Sequence, residues 1–276
     1  MFGLEWSDLI FTVAVLGTCG LAGGFFAGLL GIGGGIIFVP VFYYVFTSAF
    51  HVDPSVAMML ATGTSLACMI PTSITAALAQ YRNGNTNLET IKTWAPGMIV
   101  GVLVGSLISS FYGGKWLVIL FGSIMLLNSL NTFFRAKAKP MFASLPSKMW
   151  QRLIAFCIAF LSVMLGVGGG TLTIPILNAC SEKPHRSVGT SSAVSLFVGI
   201  PGAIVLFITG VTPENAPIFT VGYVSLLAVA CVIPLSIVAA PFGVKIGKNV
   251  SPATLKRIFA VAMFIVSVRM LISGLA

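Results

Sequence analysis

Two glycine clusters are the residues of this chain whose type and spacing best suit chemistry. Gly33-Gly34-Gly35 sits in the stretch from Gly28 to Pro40, and Gly168-Gly169-Gly170 repeats it in the stretch from Met164 to Pro175. Three consecutive glycines interrupt a helix, because glycine carries the largest backbone entropy cost of helix formation after proline's block. A break leaves backbone N–H groups unpaired, and a helix that restarts after it points its positive dipole end into the gap. That chemistry is anion capture by neutral donors, with no bond made or broken. A second recurring element, Gly63-Thr64-Ser65 and Gly189-Thr190-Ser191, adds hydroxyls. The candidate substrate-binding set is therefore Gly33, Gly34, Gly35, Thr64, Ser65, Gly168, Gly169, Gly170, Thr171, Thr190 and Ser191. Such donors would satisfy an oxyanion without burying a cation in the membrane, where a charge is costly.

Competing readings attach to several of these residues. Small residues four apart let helix backbones approach closely, which accounts for Gly97, Gly101 and Gly105. Any single serine or threonine hydroxyl can bond back to its own helix carbonyl. Thr171 and Thr173 replace Ile36 and Phe38 of the first cassette, so the second half-site reads as more polar, with Asn178 in the same short helix. Arg82, His185 and Arg186 would gather anions at one face, although anchoring by basic residues also explains the two arginines. Every Asp and Glu maps to a loop or helix end, so proton coupling has no intramembrane carrier.

Catalysis finds little support. The five cysteines are scattered without a CxxC or a Cys/His pairing, so no metal is expected. Cys68, after the polar Gly63-Thr64-Ser65 step, is the one thiol a membrane enzyme would use, but it has no His or carboxylate nearby to activate it. No GxxxxGK[ST] phosphate loop occurs, and no cofactor is implied.

These residues need elements to hold them, and composition decides the solvent in which those elements form. With 57% hydrophobic and 8% charged residues and a mean hydropathy of +1.05, the chain has too little polar surface for a soluble globule. An all-α integral membrane protein follows, with room for roughly eight to ten spanning or half-spanning helices. Apolar segments fall at 9–31, 36–50, 55–81, 94–112 and 116–134, then at 150–166, 171–181, 188–209, 218–243 and 255–274. The segments at 36–50 and 171–181 are too short for a comfortable crossing and read as half-helices or re-entrant. The N-terminal run, preceded by Glu5 and Asp8 and followed by no small-residue cleavage site, reads as a first helix and not a removed signal.

The two halves correspond in order. Gly63-Thr64-Ser65 and Gly84 match Gly189-Thr190-Ser191 and Gly210, and Gly105 through Leu117 matches Gly243 through Leu255. The expected organisation is a first transmembrane repeat over 1–134, a basic linker over 135–149 and a second repeat over 150–276. A parallel arrangement of four passes per half stays open if each cassette and its short helix only dip into the membrane; if each half makes five passes, the second repeat is inverted. From an external N-terminus, Arg82, Lys92, Arg135, Lys137, Lys139, Lys148, Arg152, Lys183, Arg186, Lys245, Lys248, Lys256 and Arg257 then share one side, with Lys115 and Arg269 on the other. By the positive-inside rule the basic side, linker included, is cytoplasmic in a cell membrane. The net charge of +9 thus reports orientation and not nucleic-acid binding. In this threading the first cassette faces the cytoplasm and the second the outside.

The paired cassettes, the Pro184-to-Ser191 run and the terminal Leu255-Lys256-Arg257-Ile258-Phe259-Ala260 block resemble the sulfite exporter TauE/SafE family of membrane transporters, over about residues 9 to 274. The first half departs from the family pattern at His51-Val52-Asp53-Pro54-Ser55-Val56, where a basic run usually precedes Gly-Thr-Ser. The resemblance implies export of a small anion of the sulfite, sulfonate or thiosulfate class, with the lipid bilayer as the other partner and a homo-oligomer left open. A passive anion channel and a membrane assembly subunit that transports nothing are the alternatives.

Overall fold

The computed structural model describes residues 6–111, 114–134, 140–213, 215–247 and 251–275. Arg135, Lys137, Lys139 and Lys248, used above to orient the chain, and Glu5 lie outside the described residues. Among the described residues the fold is ten helices and one two-residue hairpin, an all-α polytopic membrane architecture. The helices are α1 Trp6–Leu30, α2 Gly35–Ser48, α3 Pro54–Arg82, α4 Leu88–Phe111, α5 Lys115–Phe134, α6 Lys148–Met164, α7 Gly170–Ala179, α8 Pro184–Thr209, α9 Leu226–Gly247 and α10 Pro252–Leu275. Six of the described helices are long and apolar enough to cross a membrane.

Each apolar segment became one helix, and two starts are displaced by more than four residues. The fourth begins at Leu88, ahead of 94, because Asn87 Oδ1 accepts the Thr90 N–H at 3.2 Å and supplies a start. The ninth begins only at Leu226, ahead of which Thr220–Val221 and Val224–Ser225 pair as an antiparallel hairpin instead of continuing the expected 218–243 segment. Gly222, at φ 57, supplies the left-handed turn residue of that hairpin.

The halves pack as interchangeable sets. α1 lies on α9 as α6 lies on α4; α2 lies on α3 as α7 lies on α8; α3 lies on α9 as α8 lies on α4. The remaining large contacts, α3 with α8 and α5 with α10, join helices at matching places in the two halves. Both of these pairs are antiparallel. A Cβ on Gly189 would meet Asn85 while one on Gly199 would meet Leu66 and Ile70, and Ser129 Oγ donates to Ala260 O at 2.9 Å while Gly122 faces Leu271.

Two glycine ladders set the remaining helix pairs. Gly20, Gly24 and Gly28 of α1 face the backbone of Val232, Ser236 and Ala240 of α9, and Gly97, Gly101 and Gly105 of α4 face that of Arg152, Phe156 and Phe160 of α6. Both pairs are parallel, and each step of four residues on one helix meets a step of four on the other. In lipid this backbone proximity supplies the packing that water would otherwise drive. Leucine at Gly24 or Gly101 is expected to force these helices apart, costing about 3 kcal/mol or more, visible as a large drop in detergent melting temperature.

Charge segregates along the bundle. The loop 83–87 docks on the start of α8 through Asn85 and Asn87, and Met141 and Phe142 donate their N–H groups to Ala179 O at the end of α7. Arg82, Lys148, Lys183, Arg186 and Lys245 thus gather at one end. At the other, Asp53 caps α3, accepting the Ser55 N–H at 2.8 Å. Hydrogen bonds from the Ser55 side chain and backbone hold the Asp53 carboxyl below the usual carboxylate range, with Lys115 near enough to add to the effect.

Candidate functional site

The two cassettes do not face opposite sides of the membrane, as the threading led us to expect; they meet. A Cβ on Gly35 would lie 2.6 Å from Gly166 O, one on Gly168 would lie 2.6 Å from Ile32 O, and one on Gly170 would lie 2.7 Å from Ile32 Cα. These contacts run the segments antiparallel past each other, Gly31 beside Gly170 and Gly35 beside Gly166. Gly33 and Gly168 both abut Met69 and Ser195, which lie near the middle of α3 and α8, so the crossing sits at mid-bundle. Residues 31–36 and 162–171 are buried throughout.

From this crossing the two short helices leave in opposite directions. α2, 14 residues long, and α7, 10 residues long, rise about 21 and 15 Å, which is half a bilayer or slightly more. Their ladders start late. Ile37 and Phe38 donate to Gly34 O at 2.9 and 3.1 Å, and Thr171 and Thr173 donate to Gly168 O and Gly169 O at 3.4 and 2.9 Å. The N–H groups of Gly34 to Ile36 and of Gly168 to Gly170 precede any intrahelical acceptor, so two positive helix ends converge on the crossing. Left-handed φ values of 69, 76, 83 and 66° at Gly31, Gly33, Gly34 and Gly166 permit the tight return into it.

The Gly-Thr-Ser elements serve the crossing by a reciprocal arrangement. Ser65 Oγ donates to Gly166 O at 2.7 Å, and Ser191 Oγ donates to Gly31 O at 2.8 Å, so each half clamps the first glycine of the other half's cassette. Thr64 Oγ1 accepts the Ser225 N–H at 3.0 Å and Thr190 Oγ1 accepts the Asn87 N–H at 2.9 Å, fixing the starts of α9 and α4. Gly63 and Gly189 let the carbonyls of Tyr223 and Asn85 close on the helix. The single hydrogens of Ser65 and Ser191 are thus spent on protein carbonyls, while those of Thr64 and Thr190 are not. Thr171 Oγ1 donates to Gly168 O at 3.2 Å and its carbonyl accepts Asn128 Nδ2 at 2.9 Å, tying α7 to α5.

The chemical difference between the cassettes has a packing counterpart. Phe38 fills the space left by Gly23, against which its ring would press any added Cβ. In the second half the matching positions exchange bulk, with Thr173 on α7 and Ile158 on α6. Thr173 Oγ1 is fully buried and has no hydrogen-bond partner. Two further buried hydroxyls without partners flank the same cassette: Thr62, whose Cα would lie 2.7 Å from a Cβ on Gly166, and Ser162, whose carbonyl accepts the Val167 N–H at 3.0 Å. Leaving such a group unpaired costs about 1–3 kcal/mol, and a donor held at that cost suits a ligand. Sequence reasoning passed over Thr62 and Ser162 because neither recurs in the other half: Val188 and Ala27 stand at the matching positions.

The three charged candidates lie together at the basic end but outside the crossing. Arg82 ends α3 and is exposed, as is His185 in the first turn of α8. Arg186 is not a free cation: its guanidinium pairs with Glu182 at 3.5 Å, and Glu182 also accepts Asn87 Nδ2 at 3.0 Å. Cys68 is fully buried within α3.

Comparison with known proteins agrees with this architecture. The family model for the sulfite exporter TauE/SafE matches residues 16–270. Over 251 residues the chain is 25% identical to a probable membrane transporter protein of Haemophilus influenzae, spanning 91% of this chain and 95% of that one. It is 23% identical to the probable membrane transporter protein YunE of Bacillus subtilis, spanning 95% and 98%, and 28% identical to a probable membrane transporter protein of Methanocaldococcus jannaschii, spanning 90% and 91%. No solved structure gives a significant match. Since the matched span runs from within α1 almost to the end of α10 and includes both cassettes, the chain belongs to the sulfite exporter TauE/SafE family.

Proposed function

We propose that this chain is a secondary transporter that exports a small sulfur-containing anion of the sulfite, sulfonate or thiosulfate class through the cassette crossing. The convergence of two helix N-termini on one buried, cation-free point carries the reading. Family membership and the names of the relatives support transport in general. The anion would be held by the N–H groups of Gly33 to Ile36 and Gly168 to Gly170, with Thr62, Ser162 and Thr173 supplying hydroxyls. Ser65 and Ser191 act as struts, Thr64 and Thr190 as helix caps, and Thr171 as a tie to α5. Neutral donors suit release, because a buried cation would hold the substrate in a low-dielectric site.

The division into repeats 1–134 and 150–276, joined by a cytoplasmic linker at 135–149 of a cell membrane, is part of the same proposal. Interchangeable helix pairing, antiparallel matching helices and the gathered basic end all support it. Rocking of one set of helices against the other would open the crossing to each side in turn. Among the described residues the acidic groups sit in loops or first helical turns, so the driving force is the inside-negative potential, about 2.3 kcal/mol per charge per 100 mV. Arg82 and His185 would concentrate anions at the entry.

The test is uptake of labelled sulfite, thiosulfate, taurine and ethanesulfonate in proteoliposomes, with potential and pH gradient set independently. The expected result is saturable movement of one anion that follows the potential. Flux that persists without a potential but stops without a pH gradient contradicts the mechanism, and no flux of any of them from folded protein contradicts the substrate class.

A further inference from the structure

The two halves break their symmetry at the centre of the crossing. Met69 of α3 and Ser195 of α8 stand at matching positions of the two halves, as their neighbours Ser65 and Ser191 do. Both touch both cassettes. Met69 Cε would lie 2.8 Å from a Cβ on either Gly33 or Gly168, and Ser195 Oγ would lie 3.2 and 2.6 Å from the same two points. Met69 Sδ would further lie 2.8 Å from a Cβ on Gly35, and Ser65 Oγ approaches that sulfur at 3.9 Å. Met69 and Ser195 are both 0% exposed. The Ser195 hydroxyl is turned to its own helix, donating to Ser191 O at 3.0 Å.

We propose, on the reading that the crossing is the anion path, that Met69 is its movable plug and that the side chain at 69 sets the width of the anion that passes. In this closed state the thioether occupies the space between the cassettes where the free N–H groups converge. The match in the other half is a serine because the single gap admits one long side chain, not two. Methionine suits a plug because it is unbranched, rotates about three side-chain bonds and gives opening only the weak 3.9 Å bond from Ser65 Oγ to its sulfur to break. Gly199 lies across α8 beside Met69, its nearest approach to the Met69 Cβ being 4.0 Å from an added Cβ, so no bulky side chain there blocks the swing. A β-branched or stiff residue at 69 would fill the gap equally but could not leave it.

The experiment uses the full chain in proteoliposomes, with Met69→Ser and Met69→Leu, and with Ser195→Cys placed in the wild-type and Met69→Ser backgrounds. Labelled sulfite and the bulkier ethanesulfonate are the transport probes; a membrane-impermeant thiosulfonate, with modification at 195 read by mass spectrometry, is the access probe. Met69→Ser should raise the ethanesulfonate-to-sulfite flux ratio about tenfold, of the order that one or two methylenes in a pocket are worth. Met69→Leu, close in volume, should fold as wild type and slow sulfite flux. Modification at Ser195→Cys should speed up about tenfold when Met69 is also serine, since the plug is gone. An unchanged flux ratio together with unchanged modification, in protein with wild-type melting behaviour, overturns the proposal while leaving transport intact. If Met69→Ser does not fold, wild-type sulfite flux in Met69→Leu overturns it. If the wild type moves neither anion, the functional reading fails separately, and modification at 195 alone decides whether Met69 closes the path.

Discussion

Alanine at Gly35 or Gly170 is expected to destroy the transporter, whereas alanine at Gly169 is expected to leave much of it standing. At Gly35 the new methyl would press on Gly166 O at 2.6 Å and Val167 Cα at 2.8 Å, and at Gly170 it would press on Gly31 O and on Ile32 Cα at 2.7 Å. These are backbone atoms of the opposing cassette, fixed by Ser65 and Ser191, and they cannot give way singly. Each variant should lose about 3 kcal/mol or more through overpacking, appearing as little folded protein in detergent and no flux. Gly169 has an ordinary helical φ of −51°, and its added methyl would meet chiefly Val194 Cγ1, a side-chain terminus, at 2.6 Å. A rotamer change there costs about 1 kcal/mol. Equal damage at all three positions would show that the glycines merely pack helices.

Removing the clamps should also damage the crossing, and should couple its two halves. Ser65→Ala leaves Gly166 O without its donor and Ser191→Ala leaves Gly31 O without its own, in a region shut off from water. Each should cost about 1–3 kcal/mol, the penalty of an unsatisfied buried acceptor. Because both hold one crossing, the double variant should lose less than the sum, with a coupling of about 0.5 kcal/mol or more. Thermal melts of the four proteins in detergent read this directly. Strict additivity would mean that the two cassettes behave as independent loops.

The crossing explains which parts of the molecule could be read in advance. All ten helices were legible as apolar runs, because hydropathy over about 20 residues responds to the membrane itself. The repeated cassettes were legible because only glycine tolerates a backbone approach of this kind, and the first glycine of each also needs φ near 66–69°. Their meeting was not legible. It joins Gly31 with Gly170 and Gly35 with Gly166, half the chain apart, and nothing local in either stretch distinguishes facing the water from facing the other cassette. The role of Gly-Thr-Ser was hidden for the same reason. Its recurrence suggested ligand donors, yet Ser65 reaches a carbonyl 101 residues away and Thr64 a backbone N–H 161 away. Repetition marked where the halves touch each other, and the partnerless hydroxyls of Thr62 and Ser162 lie where they do not repeat. The α1 ladder of Gly20, Gly24 and Gly28 carried the same four-residue signal as the α4 ladder, but the adjacent cassette masked it.

Geometry and charge agree on a division of labour. On the proposed reading the basic end would gather anions, though with Arg186 already committed to Glu182 the field there would rest more on Arg82 and the lysines. The centre, where no described residue is charged, would rely on helix ends. A site of this kind would discriminate by size and oxygen count more than by charge, which is why the side chain at 69 matters for specificity.

Counterflow tests the central claim most directly. Proteoliposomes preloaded with unlabelled sulfite and clamped at zero potential should transiently accumulate labelled sulfite above its equilibrium level, saturably, because a crossing opened to one side at a time carries substrate in both directions. Labelled sulfite that only equilibrates, at a rate linear in concentration, would mean that the crossing is a continuous pore and not a carrier.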